Sequence, residues 1–283
     1  MTITHNQVDI GDMKLHLASA GQGPPILFLH GFPEFWKASQ RQLEGLSDRF
    51  KVMAVDLPGY NESDKPAGLE PYRLPNLADV IRRLVGALGA QPVTLVGHDW
   101  GGAVAWTVAA LFPTLLERLV IINMPHPILF RRQLMVNPAQ QQASAYMSAL
   151  VQPNAEAMLS ADNFKLLGAN IFPALKPDEI EAYRASWAVP GALTGALAYY
   201  RAVGGSRDAA FEAQMMQPIR VPTLVIWGER DRALLPANLE GLPDLVPGVE
   251  IHRLAEATHW VMHEQPDVVN RLIKEFMTKE RVV

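Results

Sequence analysis

The sequence predicts an α/β protein: a doubly wound, mostly parallel sheet with a helical segment inserted over its carboxyl edge. Three observations carry this reading. Short apolar, β-branched runs, uniform enough to be buried on both faces, alternate with helical patterns. From about residue 126 to 216 the alternation stops, and helical patches broken by Pro138, Pro153, Pro173, Pro177 and Pro190 take over. Strands then resume, so the insert interrupts one sheet rather than ending it. The expected organisation is a core of residues 1–125 and 217–283 with a helical lid over 126–216.

Residues 1–12 are polar, without a basic segment followed by an apolar one, so no signal peptide is expected. Residues 13–19 alternate apolar and polar side chains, as a strand with one wet face does, and 21–25 make a turn. Ile26-Leu27-Phe28-Leu29 is apolar throughout and predicts a strand buried on both faces. It runs into His30-Gly31-Phe32-Pro33-Glu34, a loop lying where open α/β sheets bind ligands, and its tight turn suits a cis Phe32-Pro33 bond. Residues 51–59 give a third strand closed by a turn. A helix follows over 72–88, with Leu77, Val80, Ile81, Leu84, Val85 and Leu88 on one face and Gly89 just past its end. Further strands are expected at 92–96, 119–122, 223–227 and 250–254, with helices at 103–112 and 268–277. Gly204-Gly205-Ser206-Arg207-Asp208 is the expected hinge at the end of the lid.

Between the strand at 92–96 and the helix at 103–112 stands Gly97-His98-Asp99-Trp100-Gly101-Gly102. A strand that turns sharply into a helix crowds its neighbours, and glycine at 97 and 101 relieves the crowding. Asp99 would stand at the tip of this nucleophile elbow, in a position where serine is more familiar. Asp tolerates positive φ, and the adjacent helix N-terminus favours an ionised carboxylate. Glycine-rich turns also bind phosphate, and Asp at a helix start is an ordinary N-cap, so the hexapeptide needs partners to speak for catalysis.

A carboxylate nucleophile makes an ester that must then be hydrolysed, which requires a base to activate water. Asp231 follows the strand ending at Trp227, and His259 follows the strand ending near Leu254. Nucleophile, acid, histidine is the chain order of the α/β-hydrolase triad. Glu229 is a rival acid, but Asp231 lies deeper in its loop; His252, within a strand, and His263, expected near the start of the final helix, read as structural. The backbone N–H groups of Trp100 and Phe32 are the expected donors to the oxyanion formed on Asp99.

Composition narrows the classes. A net charge of −4 gives no basic face for nucleic acid or anionic lipid, and the absence of cysteine excludes disulfides, thiolate catalysis and cysteine-ligated metal. No apolar run approaches the roughly 20 residues that span a bilayer, so a cytoplasmic protein, monomer or homodimer, is expected.

Taken together, Asp99, Asp231, His259 and His30-Gly31-Phe32-Pro33 resemble the α/β-hydrolase-fold epoxide hydrolases over nearly the full chain. Gly-His-Asp-Trp-Gly-Gly is typical of that family, and so is a lid containing Tyr199-Tyr200-Arg201. The resemblance implies that two lid tyrosines hold the epoxide oxygen, Tyr200 by its local motif and Tyr146 by its place early in the lid. Two phenols would stabilise the charge that builds on the ring oxygen as it opens. No metal or organic cofactor is implied. Phe32, Trp36 and Trp100 suggest an apolar substrate body, although each aromatic could equally be core.

Two rivals are weighed against this. Haloalkane dehalogenases resemble the same scaffold but often hold halide with an asparagine where Phe32 stands, and fluoroacetate dehalogenases look like having arginine where Trp100 stands. A non-catalytic ligand-binding protein would not need a water-activating base.

Overall fold

The computed structural model describes residues 2–203 and 209–279; the expected hinge at 204–208 lies outside the described residues. In chain order the elements are β1 (Thr4–Asp9), β2 (Lys14–Ala20), β3 (Pro25–Leu29), α1 (Gln40–Leu46), β4 (Lys51–Val55), α2 (Leu74–Ala87), β5 (Val93–His98), α3 (Trp100–Leu111) and β6 (Leu116–Ile122). A helical insert follows: α4 (Pro127–Val136), α5 (Pro138–Ala143), α6 (Met147–Leu150), α7 (Ala155–Gly168), α8 (Pro177–Ala188), α9 (Ala192–Val203) and α10 (Ala209–Met215). The sheet then closes with β7 (Thr223–Gly228), α11 (Leu242–Leu245), β8 (Glu250–Leu254), α12 (Val261–Glu264) and α13 (Pro266–Thr278).

The strands form one sheet in the order β1-β2-β4-β3-β5-β6-β7-β8. β1 and β2 pair antiparallel, as do β2 and β4, and every later neighbour is parallel. Alternation of side chains divides the apolar strands between two cores. Leu27, Leu29, Leu95, Leu119 and Val225 pack into the cluster containing α2 and α3 residues, while Ile26, Phe28, Val96, Val120 and Leu224 pack with residues of α1 and α13. Helices therefore cover both faces, and the doubly wound expectation holds. The strand order turns around β3 and β5, so the loops leaving their carboxyl ends lie side by side where such sheets place ligands.

Four local expectations change. Residues 4–9, passed over as polar, form the edge strand β1, whose only apolar side chain is Val8 and whose ladder is held by main-chain pairing with β2. β2 has no wet face over its middle: Leu15, His16, Leu17 and Ala18 are all buried, and His16 is tolerated because its Nδ1 lies 2.7 Å from Asp56 Oδ2. α3 begins at Trp100, directly after the elbow, rather than at 103. His263 belongs to the separate short helix α12. Among the described residues, no helix is long and apolar enough to cross a membrane.

Candidate active site

Asp99 occupies the single residue between β5 and α3, with φ 47° and ψ −124°. This left-handed backbone costs about 1–3 kcal/mol and persists because its surroundings leave no alternative. A Cβ on Gly97 would lie 2.4 Å from the Gly101 carbonyl oxygen, and one on Gly101 would lie 2.2 Å from that of Leu29. The Asp99 side chain caps no N–H of α3, so the ordinary N-cap role is not the one it plays. Instead Phe32 N–H donates to Asp99 Oδ1 at 2.8 Å, across a loop whose Gly31 has no room for a side chain: its Cβ would meet Asp99 Cβ at 2.3 Å. The Phe32-Pro33 bond is cis.

The other carboxylate oxygen, Oδ2, faces His259 Nε2 at 3.6 Å. On the far side of that ring, Nδ1–H donates to Asp231 Oδ2 at 2.7 Å. Asp231 is buried, and each of its oxygens is otherwise engaged: Asn123 Nδ2–H donates to Oδ2 at 2.8 Å, and the N–H groups of Ala233 and Leu234 donate to Oδ1 at 2.8 and 2.9 Å. Burial opposes ionisation of Asp231, but the His259 charge and these donors outweigh it and lower its pKa. For His259 burial likewise favours the neutral ring, yet the Asp231 and Asp99 carboxylates raise its pKa well above the usual value. The basicity of His259 is thus coupled to the two carboxylates on either side of its ring.

Asn123 was missed as a site residue. It directly follows β6 with φ 42°, donates to Asp231, and accepts from Gly228 N–H at 2.8 Å, tying the acid's loop to its neighbour strand. The available signal was an asparagine at the carboxyl end of a buried strand, a residue type that tolerates positive φ. Glu229 turns outward to Arg253. His252 is exposed on β8, and His263 is buried against Glu34, neither near Asp99 in bonding terms.

A cavity of about 430 Å³ opens from Asp99 between the sheet's carboxyl edge and the helical insert. Trp100, Tyr146 and Tyr200 line it, together with apolar side chains such as Ile128, Phe130, Leu134 and Phe211. Tyr200 sits within α9, almost fully buried, and the Trp100 ring packs edge-on against its ring, centroids 5.1 Å apart. Tyr146 precedes α6; it is 43 % exposed, but its phenol lies close enough to Asp99 and Tyr200 to be affected by both. Burial first, then neighbouring phenol or carboxylate charge, raises both phenols' pKa values far above neutrality, so each keeps its proton. Tyr199, next in sequence, points the other way and donates to Pro58 O at 2.9 Å. Alternation around the helix thus separates a structural tyrosine from a cavity tyrosine.

Phe32 contributes its N–H to Asp99, while its ring packs edge-on against Tyr200, centroids 5.1 Å apart, rather than lining the large cavity. Trp36 requires correction. It lies off the cavity, its ring against His5 and His16 at the β1–β2 edge and its backbone N–H donating to Asp56 Oδ1 at 2.7 Å. It stands in a 3-10 turn two residues beyond the loop that reaches Asp99, and that turn carries it toward β4. For a halide site the arrangement is poor: residue 32 offers no side-chain donor to stand beside the Trp100 indole.

A strand-to-helix elbow with an aspartate at its tip, and an acid and a histidine on the loops after the last two strands, is the arrangement of an α/β hydrolase. The family model for the alpha/beta hydrolase fold matches residues 24–266. Mouse epoxide hydrolase 4 is 35% identical over 294 residues, covering 98% of this chain and 80% of its own. An AB hydrolase superfamily protein of Bacillus subtilis (strain 168) is 37% identical over 282 residues, covering 96% and 97%. Among solved structures, an epoxide hydrolase of Bacillus megaterium bound to an inhibitor superimposes with a TM-score of 0.88 at 35% identity, covering 98% and 100%. The chain belongs to the epoxide hydrolases of the α/β-hydrolase fold family.

Proposed function

We propose that the chain hydrolyses epoxides to vicinal diols through an ester on Asp99. The observation that carries this is one carboxylate held from both ends, Phe32 N–H on Oδ1 and His259 on Oδ2, at the floor of a cavity that also presents two protonated phenols. An Asp99 oxygen attacks a ring carbon and the carbon–oxygen bond breaks. The departing oxygen, held by Tyr146 and Tyr200, takes a proton from one of them, because an alkoxide is more basic than a phenolate.

The ester removes the Asp99 charge that held a proton on His259, and that proton returns through solvent to the phenolate left by ring opening. The neutral ring, oriented by Asp231, then takes a proton from water as the water oxygen attacks Asp99 Cγ. The N–H groups of Phe32 and Trp100 hold the oxyanion, and collapse expels the diol and restores the carboxylate with one oxygen drawn from water. The helices over 126–216 serve as the lid that keeps bulk water from the ester, and their apolar lining suits a substrate with an apolar body.

The test is a single turnover with a styrene-oxide-like epoxide in heavy-oxygen water. The ester route predicts an unlabelled first diol and a label in Asp99 by peptide mass. A first diol that carries the label would show direct attack by water and end this proposal.

A further inference from the structure

A buried amide of the insert joins two regions that the mechanism above uses separately. Gln140 lies in α5, screened from solvent. Its Nε2 donates to Ala233 O at 2.7 Å and to Ser144 Oγ at 2.8 Å. Its Oε1 accepts from Leu235 N–H at 3.0 Å and from Asn238 Nδ2–H at 2.6 Å. A primary amide offers two N–H groups and an oxygen with two lone pairs, so this one is fully engaged. Its orientation is fixed as well, because Ala233 O cannot donate and Leu235 N–H cannot accept.

The two ends of this bridge are unlike. Ala233 and Leu235 belong to the loop after β7, where the N–H groups of Ala233 and Leu234 already hold Asp231 Oδ1 and Asn123 holds Oδ2. Asp231 therefore has its own restraints. Ser144 leads into the turn that carries Tyr146: Met147 N–H donates to Ser144 O at 3.1 Å, and Tyr146 stands between α5, of six residues, and α6, of four. Tyr146 and Leu234 both line the cavity, so the amide ties together two parts of the cavity's wall.

We propose that Gln140 is a positioning residue that clamps the turn bearing Tyr146 to the loop bearing Asp231, and so fixes where the Tyr146 hydroxyl meets the oxygen leaving the ring. The inference deepens the ester mechanism proposed above and rests on it. A second strut joins the same two segments: Gln133 of α4 donates to Ala237 O at 2.9 Å and accepts from Asn137 Nδ2–H at 2.9 Å, while Asn137 Oδ1 caps the first turn of α5. That strut anchors the start of α5, and Gln140 anchors the part that leads to Tyr146. Cutting the clamp thus loosens the phenol and leaves the acid in place. A misplacement of about 1 Å can cost about 10²-fold in rate, so even partial loosening is visible in kinetics.

The experiment measures ester formation and ester breakdown separately, by single-turnover mass spectrometry of the intact chain with styrene oxide. Gln140→Met, similar in length and volume, should slow formation about fivefold and change breakdown by less than about twofold. The effect should vanish in a Tyr146→Phe background and persist in Tyr200→Phe, since only the first removes the group being placed. Ser144→Ala cuts the tie on the tyrosine side alone and should slow formation in the same pattern; it carries the test if Gln140→Met fails to fold. Equal slowing of both steps, or an effect that adds in full to that of Tyr146→Phe, would mark Gln140 as packing and overturn the inference alone. A native rate of ester formation in the folded variants would do the same. A wild-type chain that forms no ester on Asp99 would overturn the mechanism and this inference together.

Discussion

Asp99, Asp231 and His259 stand on loops that leave the carboxyl ends of β5, β7 and β8, whereas Tyr146, in the turn before α6, and Tyr200, in α9, belong to the insert laid above the sheet. The first group is placed by backbone registration. Parallel pairing aligns the strand ends, and direct hydrogen bonds of 2.7–2.8 Å lock the side chains, from Phe32 N–H to Asp99 and from His259 to Asp231. The second group is placed by packing and by ion pairs between helices. Arg201, next to Tyr200, donates to both oxygens of Glu156 on α7 at 2.7 and 2.8 Å. On the proposed mechanism, the contrast teaches that the attacking and water-activating groups are fixed by short direct hydrogen bonds, while those that receive the leaving oxygen are held by contacts that can be weakened in steps.

Substitutions in the sheet-borne group should therefore be all-or-none. Asp99→Asn is expected to lower single-turnover ester formation by at least about 10³-fold, read by quenched-flow mass spectrometry. Retention of near-native activity would show that the carboxylate is not the attacker. His259→Gln should leave ester formation nearly intact and stop its breakdown, so that a protein-bound adduct accumulates within one turnover. Loss of both steps together would instead mean that the ring is needed for attack.

Substitutions in the insert should be graded. Tyr200→Phe is expected to slow ester formation by about 10²-fold, the order seen for loss of one donor to a developing charge, with Tyr146→Phe smaller because that ring is partly exposed and less firmly held. If the two single variants match Asp99→Asn in severity, the comparison between the two regions fails.

The mildest effect belongs to the ion pair behind Tyr200. The Arg201 hydrogen bond lowers the Glu156 pKa to about 2, so the pair adds stability above the unfolded value of about 4.3 and loses it as pH falls through the interval down to about 2. Both side chains are partly exposed, which limits the contribution to at most about 1 kcal/mol. Urea unfolding of Glu156→Gln at neutral pH and at pH near 2 should show a difference from the wild type only in the former. A difference that persists in acid would assign the stability to shape rather than charge.

Much of the site could be read in the chain because steric demand leaves marks in residue type. Gly97 and Gly101 are required by carbonyl oxygens that a Cβ would strike, and Gly31 by Asp99 itself, so the elbow and the loop facing it are written in glycine. The loops after β7 and β8 followed from strand order. Trp36 went wrong because an aromatic side chain near a functional loop carries no mark of which way its turn sends it. Asn123, Glu34 and His98 had no assigned task because their roles are pairings across 64 to 161 positions of sequence, invisible until strands are set side by side. The edge strand β1 escaped because its residues are polar and its stability is a main-chain ladder, which no side-chain pattern records.

By itself the sequence determined the alternation of buried strands and helices, the sharp bend that exposes residue 99, and the chain order of nucleophile, acid and base. These are local matters of periodicity, backbone freedom and spacing. Only the tertiary structure decided which oxygen of Asp99 meets which donor, which of two adjacent tyrosines enters the cavity, and which partners Glu34 and His98 take. Those outcomes depend on distances between segments far apart in the chain, and such distances exist only once the sheet has brought its carboxyl ends to one edge.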